Sequence, residues 1–156
     1  MRCAKLVCVT LVGLAAVSMA RPVGATLHVA EPLTAIIESY LQIHGQLTTD
    51  KTDGVKAAAA AIVKQAETMG ANGAAIGKAA AAVASAADLK AARQAFGPLS
   101  DTVIAAVSAS GPATSKELGL KLAFCPMVNR SWLQKDEKIR NPYYGSTMLE
   151  CGEIKK

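Results

Sequence analysis

Between residues 32 and 110 the chain is rich in alanine, and its larger apolar residues recur every three or four positions. This spacing places them on one face of an α-helix, whereas a half-buried strand would show a period of two. Turn signals at 51–54, 72–73 and 110–112 divide the stretch, and Asp88 is a suitable N-cap. Four helices with short connections predict an up-and-down four-helix bundle with closely approaching faces.

The four predicted helices differ in how much apolar surface they offer. The first begins at Pro32 and ends near Thr49, the second ends around Gly70, and the fourth follows Asp88 and is bent at 97–98. The apolar face of the third helix consists mostly of methyl groups. In chain order, the predicted stripes comprise Leu33, Ile36, Ile37, Tyr40, Leu41, His44 and Leu47; Val55, Ala59, Ile62, Val63, Ala66 and Met69; Ile76, Ala80, Val83 and Ala87; and Ala92, Phe96, Leu99, Val103 and Ala106.

The composition changes after about residue 115, where aromatic and sulfur-containing residues replace alanine. Alternation of Leu118, Leu120, Leu122 and Phe124 with smaller or charged residues predicts a half-buried strand. The fold class is therefore mainly α, with an irregular or short-strand tail over 115–156 that packs on a bundle over 26–114. Both segments are assigned to one domain.

The N-terminus has the pattern of a secretory signal peptide. Arg2 and Lys5 precede an apolar run over 6–19, and small residues follow at 23–25. We expect cleavage after Ala25, with Ala20 as the alternative site, a periplasmic or secreted mature protein, and no stable membrane span after cleavage. The chain has 17 basic and 12 acidic residues, and the signal removes three basic residues. The remaining excess of two gives no basic surface for nucleic acid, so that class is set aside.

Signal removal leaves two cysteines, Cys125 and Cys151, and each lies close to a methionine, Met127 or Met148. Thiolate and thioether sulfurs prefer Cu(I) or Ag(I) to calcium or magnesium, so these four residues are candidate metal ligands. If 125–127 is extended, Cys125 and Met127 share a face, while a tight turn brings Met148 and Cys151 together.

A disulfide between Cys125 and Cys151 is the competing interpretation, because exported proteins favour disulfides and buried methionines commonly fill gaps in a core. A third interpretation combines the two, with reduction of the bridge exposing the metal site. The residues alone leave all three open.

Two histidines are further candidates. Cleavage after Ala25 would leave His28 at the third mature position, where it and the free amine can bind Cu(II) in square-planar coordination. The alternative is an ordinary chain terminus. His44 lies on the first apolar stripe, four residues after Tyr40, and is interpreted as a satisfied core histidine rather than a ligand.

The segment 139–143 looks like a motif but is interpreted as structural. Asn141 followed by Pro142 opens a turn, and Arg140 can hold a carboxylate or backbone carbonyls. Tyr143, with Trp132 and Tyr144, is expected to pack the tail on the bundle.

The tail carries a set of short motifs, supported by three pairs of residues in the body. They are Cys125-Pro126-Met127, Trp132-Leu133, Ile139-Arg140-Asn141-Pro142-Tyr143, Gly145, Met148-Leu149 and Cys151-Gly152-Glu153 in the tail, and Tyr40-Leu41, Ala95-Phe96 and Leu99-Ser100 in the body. Together these motifs resemble a known bacterial family of unknown function, DUF3347, which is often fused to periplasmic adaptors of heavy-metal efflux pumps. The resemblance implies a helical-bundle domain near copper or silver efflux machinery, with an adaptor or another efflux component as partner.

Catalytic signatures are missing from the sequence: it has no glycine-rich phosphate loop after a strand and no paired-histidine zinc motif. We therefore expect no enzymatic activity. Two function classes remain, namely a periplasmic Cu(I)/Ag(I)-binding module associated with metal efflux, and a disulfide-stapled helical interaction domain that binds no metal.

Overall fold

The computed structural model describes residues 31–155, so the predicted signal peptide over 1–25 and His28 lie outside the described residues. Within this range, five helices are followed by three short strands. The helices are α1 (Glu31–Thr48), α2 (Val55–Thr68), α3 (Ala74–Ala84), α4 (Leu89–Ala109) and α5 (Pro112–Glu117), and the strands are β1 (Lys121–Cys125), β2 (Arg130–Gln134) and β3 (Glu153–Ile154). Two 3₁₀ turns, Gly70–Gly73 and Gly145–Thr147, complete the regular structure.

The first four helices form the predicted bundle. Each packs against the next along the chain, and α4 also contacts α1. Asp88 is the N-cap of α4, and its carboxylate accepts a hydrogen bond of 2.7 Å from the Ala91 N–H. Each of these helices contributes one buried face to the core, as the three-to-four spacing of apolar residues predicted.

Small residues let the helices approach closely. Gly73 is buried where the chain passes from α2 to α3, and a Cβ at this position would overlap the backbone carbonyl of Ala66. Gly97 lies on α4 against the guanidinium of Arg130, which would be 3.2 Å from an added Cβ. Helix α4 continues through Pro98. Gly97 therefore makes room for a tail side chain in a continuous helix.

The tail is a three-stranded antiparallel sheet of order β2-β1-β3. Strand β2 contacts α4 and α1 and so places the sheet on the bundle. The predicted strand exists, but its predicted face was wrong: Ala123 and Cys125 are buried, whereas Leu122 and Phe124 are only partly buried. Leu118 caps α5, a helix that the sequence analysis did not predict.

A chain of aromatic rings joins the tail to the bundle. Tyr40 of α1 stacks on Phe96 of α4 with ring centroids 4.9 Å apart, and Phe96 lies 6.0 Å from Tyr143. Trp132 meets Tyr143 edge-on at 5.9 Å. The Tyr40 hydroxyl also lies 2.8 Å from Ser100 Oγ and accepts a hydrogen bond from the Leu133 N–H. The tail is thus attached through the centre of the core.

Candidate functional site

Cys125 is the last residue of β1 and is fully buried, with 0% of its surface exposed. It lies opposite Arg130 in the antiparallel register, and residues 126–129 form the turn into β2. Since alternate residues of a strand face the same side, Cys125 continues the buried face begun by Ala123. The strand position therefore fixes the thiol inside the domain.

Cys151 approaches from the other end of the tail. A turn closes with a hydrogen bond of 3.1 Å from the Cys151 N–H to the Met148 carbonyl, and Asn141 Nδ2 donates to the Cys151 carbonyl at 2.8 Å. Two residues later, Glu153 pairs with Phe124 of β1. These contacts bring Cys151 Sγ to 2.9 Å from Cys125 Sγ, and both cysteines are free.

The two thiols differ in their electrostatic environment. Burial alone would raise the pKa of Cys125, but contacts with the Cys151 thiol and with the N–H groups of Val128 and Met127 bring it below its ordinary value. The pKa of Cys151 is raised, because its thiol donates to Cys125 and because it is partly desolvated. Cys125 is thus the sulfur on which negative charge is stabilised.

The methionines occupy different environments. Met127 lies in the 126–129 turn and is 63% exposed, so the predicted strand face shared with Cys125 is wrong. Met148 is half-buried and begins the turn that ends at Cys151, as the sequence predicted for that pair. The structure therefore brings the two cysteines into contact and leaves Met127 on the surface beside them.

Asn141 organises the loop that carries Cys151. Its side chain is fully buried, and its Oδ1 accepts hydrogen bonds from the N–H groups of Tyr143 at 2.8 Å and Tyr144 at 3.3 Å. Its own backbone N–H donates to the Leu149 carbonyl at 2.7 Å. With Pro142 following, this is a turn stabilised by an Asn side chain. Asn141 consequently holds both ends of the segment between Tyr143 and Cys151.

The backbone of Arg140 contacts the bundle. His44 is buried in α1, and its Nε2–H donates to the Arg140 carbonyl at 2.9 Å, while the Arg140 N–H donates to Gln134 Oε1 at 3.1 Å. Burial lowers the pKa of His44, so the neutral imidazole is the form the fold accommodates. His44 is thus a satisfied core histidine.

Gly152 is required for the close approach of the Cys151 segment to β1. Its φ is +137°, and a Cβ there would lie 2.8 Å from the Phe124 carbonyl oxygen and 3.0 Å from the Trp132 ring. A side chain at this position would push the Cys151 segment away from β1. Gly152 therefore contributes to bringing the two sulfurs together.

Two supporting groups were missed by the sequence analysis. The first is Arg93 of α4, whose guanidinium donates to the Pro142 carbonyl at 3.0 Å and the Leu47 carbonyl at 2.8 Å and pairs with Asp50. Asp50 in turn accepts hydrogen bonds from Ser146. An arginine beside the predicted apolar stripe of the fourth helix gave no signal of these partners.

The second missed group is Gln134, which is fully buried at the end of β2. Its Oε1 accepts from Trp132 Nε1 at 2.9 Å and from the Arg140 N–H, and its Nε2 donates to the carbonyls of Asp136 and Lys138. The signal available in the sequence was the i, i+2 spacing of Trp132 and Gln134, which places both on one face of a strand.

Within 31–155, no cluster of three or more His, Cys, Asp or Glu side chains could hold a metal ion. A metal at this site would therefore depend on the two thiolates and on thioether sulfur, which is the donor chemistry of soft monovalent ions. In the same part of the chain, no helix combines the length and apolar character needed to cross a bilayer.

The fold and the site define a class of protein. It is a small helical bundle with two neighbouring thiols on a tail of strands that packs against the helices. The chain belongs to the family described as "Protein of unknown function (DUF3347)", whose model matches residues 36–115. The match covers most of the bundle and ends inside α5, at the first residue of the tail, although the tail motifs were the more specific part of the resemblance. No curated protein and no solved structure matches the chain.

Proposed function

We propose that this protein is a binding module for Cu(I) or Ag(I), held by the thiolates of Cys125 and Cys151. The observation that carries the proposal is the contact between the two sulfurs, which come from positions 26 residues apart. Soft monovalent ions prefer thiolate ligands. Binding rather than catalysis is the proposed activity, and the module belongs to metal homeostasis.

The charge environment supports the thiolate form that metal binding needs. Cysteine binds metal after losing its proton, so affinity depends on how easily the thiol ionises. The N–H groups of Val128 and Met127 stabilise charge on Cys125. Cys125 is therefore the proposed first thiolate, and Cys151 releases its proton when the ion binds.

Metal binding requires a small separation of the sulfurs. Metal–thiolate bonds of about 2.3 Å place two sulfurs roughly 4 Å apart around one ion. The observed separation of 2.9 Å must then open by roughly 1 Å. Cys151 lies in a turn between Met148 and β3, and this turn is the proposed site of the adjustment.

The methionines are proposed as additional thioether ligands of unequal importance. Met148 is half-buried in the same turn as Cys151, whereas Met127 is exposed. We propose Met148 as a ligand inside the site and Met127 as one that contacts the ion from the solvent side. The Cu(II) site at His28 is a separate proposal that depends on cleavage after Ala25.

The proposed setting is the periplasm, next to heavy-metal efflux machinery. The signal-like N-terminus supports export. The efflux association is drawn from what the family resemblance implies, and an adaptor or another efflux component is the proposed partner. Mass analysis of the protein recovered from the periplasm tests export and cleavage together.

An anaerobic titration tests the metal site. Reduced protein is titrated with Cu(I) against a competing chelator and compared with a Cys125→Ser/Cys151→Ser variant. We expect one tightly bound ion that the double variant loses, and weaker binding by Met148→Leu than by Met127→Leu. Equal binding by the wild type and the double variant, or none by either, would overturn the proposal.

The second candidate function is a disulfide-stapled interaction domain that binds no metal. The short distance between the two sulfurs favours it, and closing a 26-residue loop would stabilise the fold by about 3.5 kcal/mol. In that case the double variant unfolds at lower denaturant concentration, and neither protein binds Cu(I). The alanine-rich surface of the bundle is then the proposed contact with a partner helix.

A further inference from the structure

The two sulfurs of the pair differ in their access to solvent. Cys125 is completely enclosed, on the buried face of β1, whereas Cys151 is half-buried in the turn that precedes β3. A molecule arriving from solvent therefore meets Cys151 first. The distance of 2.9 Å places the enclosed sulfur directly behind the accessible one.

We propose that Cys125 and Cys151 form a reversible thiol–disulfide exchange site, in which Cys151 reacts with disulfide-bonded thiol compounds and Cys125 resolves the product. The pair is the site, and the co-substrate is any accessible disulfide of the general form RS–SR. This proposal concerns the chemistry of the two thiols themselves and applies with or without a bound metal.

The exchange takes place in two balanced steps. Cys151 loses its proton to solvent, and its sulfur attacks RS–SR, forming a Cys151–SR mixed disulfide and releasing one RS⁻. The Cys125 thiolate then attacks Cys151 Sγ, which forms the internal disulfide and releases the second RS⁻. Two protein thiols are oxidised, one external disulfide is reduced to two thiols, and the protons pass to solvent.

The reverse reaction also begins at Cys151, the more accessible of the two sulfurs. An external thiolate attacks Cys151 Sγ in the internal disulfide, because that sulfur is the accessible one, and Cys125 leaves. A second external thiolate then attacks the external sulfur of the Cys151–SR mixed disulfide, which releases RS–SR and the Cys151 thiolate.

The sheet and the loop around the site hold the backbones of Cys125 and Cys151 in place during thiol–disulfide exchange. Phe124, next to Cys125, pairs with Glu153, two residues after Cys151, so both cysteines are anchored to one sheet. The Asn141 side chain also fixes the Cys151 carbonyl. Closing and opening the bond therefore involve the sulfurs and the short turn before Cys151, while the sheet register stays unchanged.

Exchange has a consequence for metal, which rests on the proposed function above. A disulfide offers no thiolate, so the oxidised protein cannot use its two cysteines to hold Cu(I). Reduction through Cys151 would restore both ligands. The redox state of the surroundings would then decide whether the module binds metal.

The first measurement uses metal-free, reduced wild-type protein. Brief treatment with iodoacetamide and peptide mapping should show Cys151 alkylated before Cys125, with a rate difference of about tenfold or more, because reaction at the enclosed thiol needs local opening. In urea the two rates should converge. Equal rates in the folded protein would overturn the proposed order.

The second measurement uses oxidised glutathione and two single variants, Cys125→Ala and Cys151→Ala. Folded Cys125→Ala should retain a glutathione adduct on Cys151, whereas Cys151→Ala should react slowly, and the wild type should form the internal disulfide with no adduct retained. Far-ultraviolet circular dichroism and Trp132 fluorescence show whether each variant is folded.

Persistent glutathione adducts on the wild type, or rapid reaction of folded Cys151→Ala, would contradict the proposal. Because no metal is present, this result stands apart from the Cu(I) titration. A protein that exchanges but binds no Cu(I) loses only the metal function. One that binds Cu(I) but fails to exchange loses only the redox proposal.

Discussion

The bundle and the tail are stabilised in different ways. The bundle places methyl groups and branched side chains in a common core, and Gly73 lets α3 approach the backbone of α2. The tail contains fewer residues but buries polar side chains whose hydrogen bonds are individually matched, above all Asn141 and Gln134.

This difference predicts a difference in tolerance to substitution. A core of aliphatic residues accepts volume-conserving changes at modest cost. A buried amide with several partners does not, because removing it leaves groups that are desolvated and unpaired. The tail is therefore the part of the domain where single polar substitutions should have the largest effects, and it is also the part that holds the cysteines.

The largest expected effect is that of Asn141→Ala. The change leaves the Cys151 carbonyl and the N–H groups of Tyr143 and Tyr144 without their side-chain partner and should cost about 3 kcal/mol. Urea unfolding can be followed by fluorescence of Trp132, the one tryptophan of the chain, and by circular dichroism of the helices.

The matched control for that variant is Asn72→Ala, at an exposed position of the bundle, which should change the stability by less than about 0.5 kcal/mol. Coincident fluorescence and dichroism transitions would show that tail and bundle unfold as one unit. Similar losses in the two variants would contradict the contrast drawn between the two regions.

Within the bundle, two glycine substitutions should act in opposite directions. Gly73→Ala puts a Cβ into the Ala66 carbonyl and should destabilise by roughly 2 kcal/mol. Gly45→Ala places its Cβ where no atom lies within 4 Å, inside α1, and should stabilise by about 0.5–1 kcal/mol. Thermal unfolding of both proteins measures the pair. A Gly73→Ala protein as stable as the wild type would show that close packing at this position does not limit the bundle.

A smaller, pH-dependent effect is expected from His44. Its pKa is lowered in the folded state, so below the ordinary value of 6.5 the unfolded chain binds the extra proton more readily. Stability should fall as the pH drops from 6.5 towards the folded pKa, by at most about 1.4 kcal/mol per pH unit. His44→Gln should flatten this part of the curve, and an unchanged slope in urea midpoints would contradict the assignment.

The smallest expected effect belongs to Asp50. Hydrogen bonds from Ser146, followed by those from Arg93, lower the pKa of its carboxylate. Its contribution is therefore present above the ordinary pKa of 3.8 and is lost as the pH falls towards the folded value. Asp50→Asn should reduce the acid sensitivity of the Trp132 signal. The exposed Asp53→Asn is the matched control, and equal acid sensitivity of the two variants would refute the role of Asp50.

The helical part of the fold was predictable because its determinants repeat. Stripes of Leu, Ile and Ala residues specify each buried face, and the carboxylate of Asp88 marks a helix start. The strand was predicted with the wrong face, because the larger Leu122 and Phe124 suggested burial while the small Ala123 and Cys125 occupy the interior.

The candidate site was predictable in its cysteines but only partly in its surroundings. Spacing of sulfur residues identified Cys125 and Cys151, and a turn was expected at Met148. The role of Arg93 depends on residues far apart in sequence, such as Pro142, 49 positions away, and periodicity contains no information about such a pair. The partners of Gln134 lie within six positions of it. The i, i+2 spacing with Trp132 indicates a shared strand face, but it does not indicate which loop carbonyls Gln134 binds.

The hydrogen bond from the Leu133 N–H to Tyr40 has a consequence for the order in which the domain is built. The two residues are 93 positions apart, whereas the bundle helices mostly contact their neighbours along the chain. Because synthesis proceeds from the N-terminus and local contacts form early, the helices can assemble while the tail is still being made. Cys125 and Cys151 would then meet last, on a surface already in place.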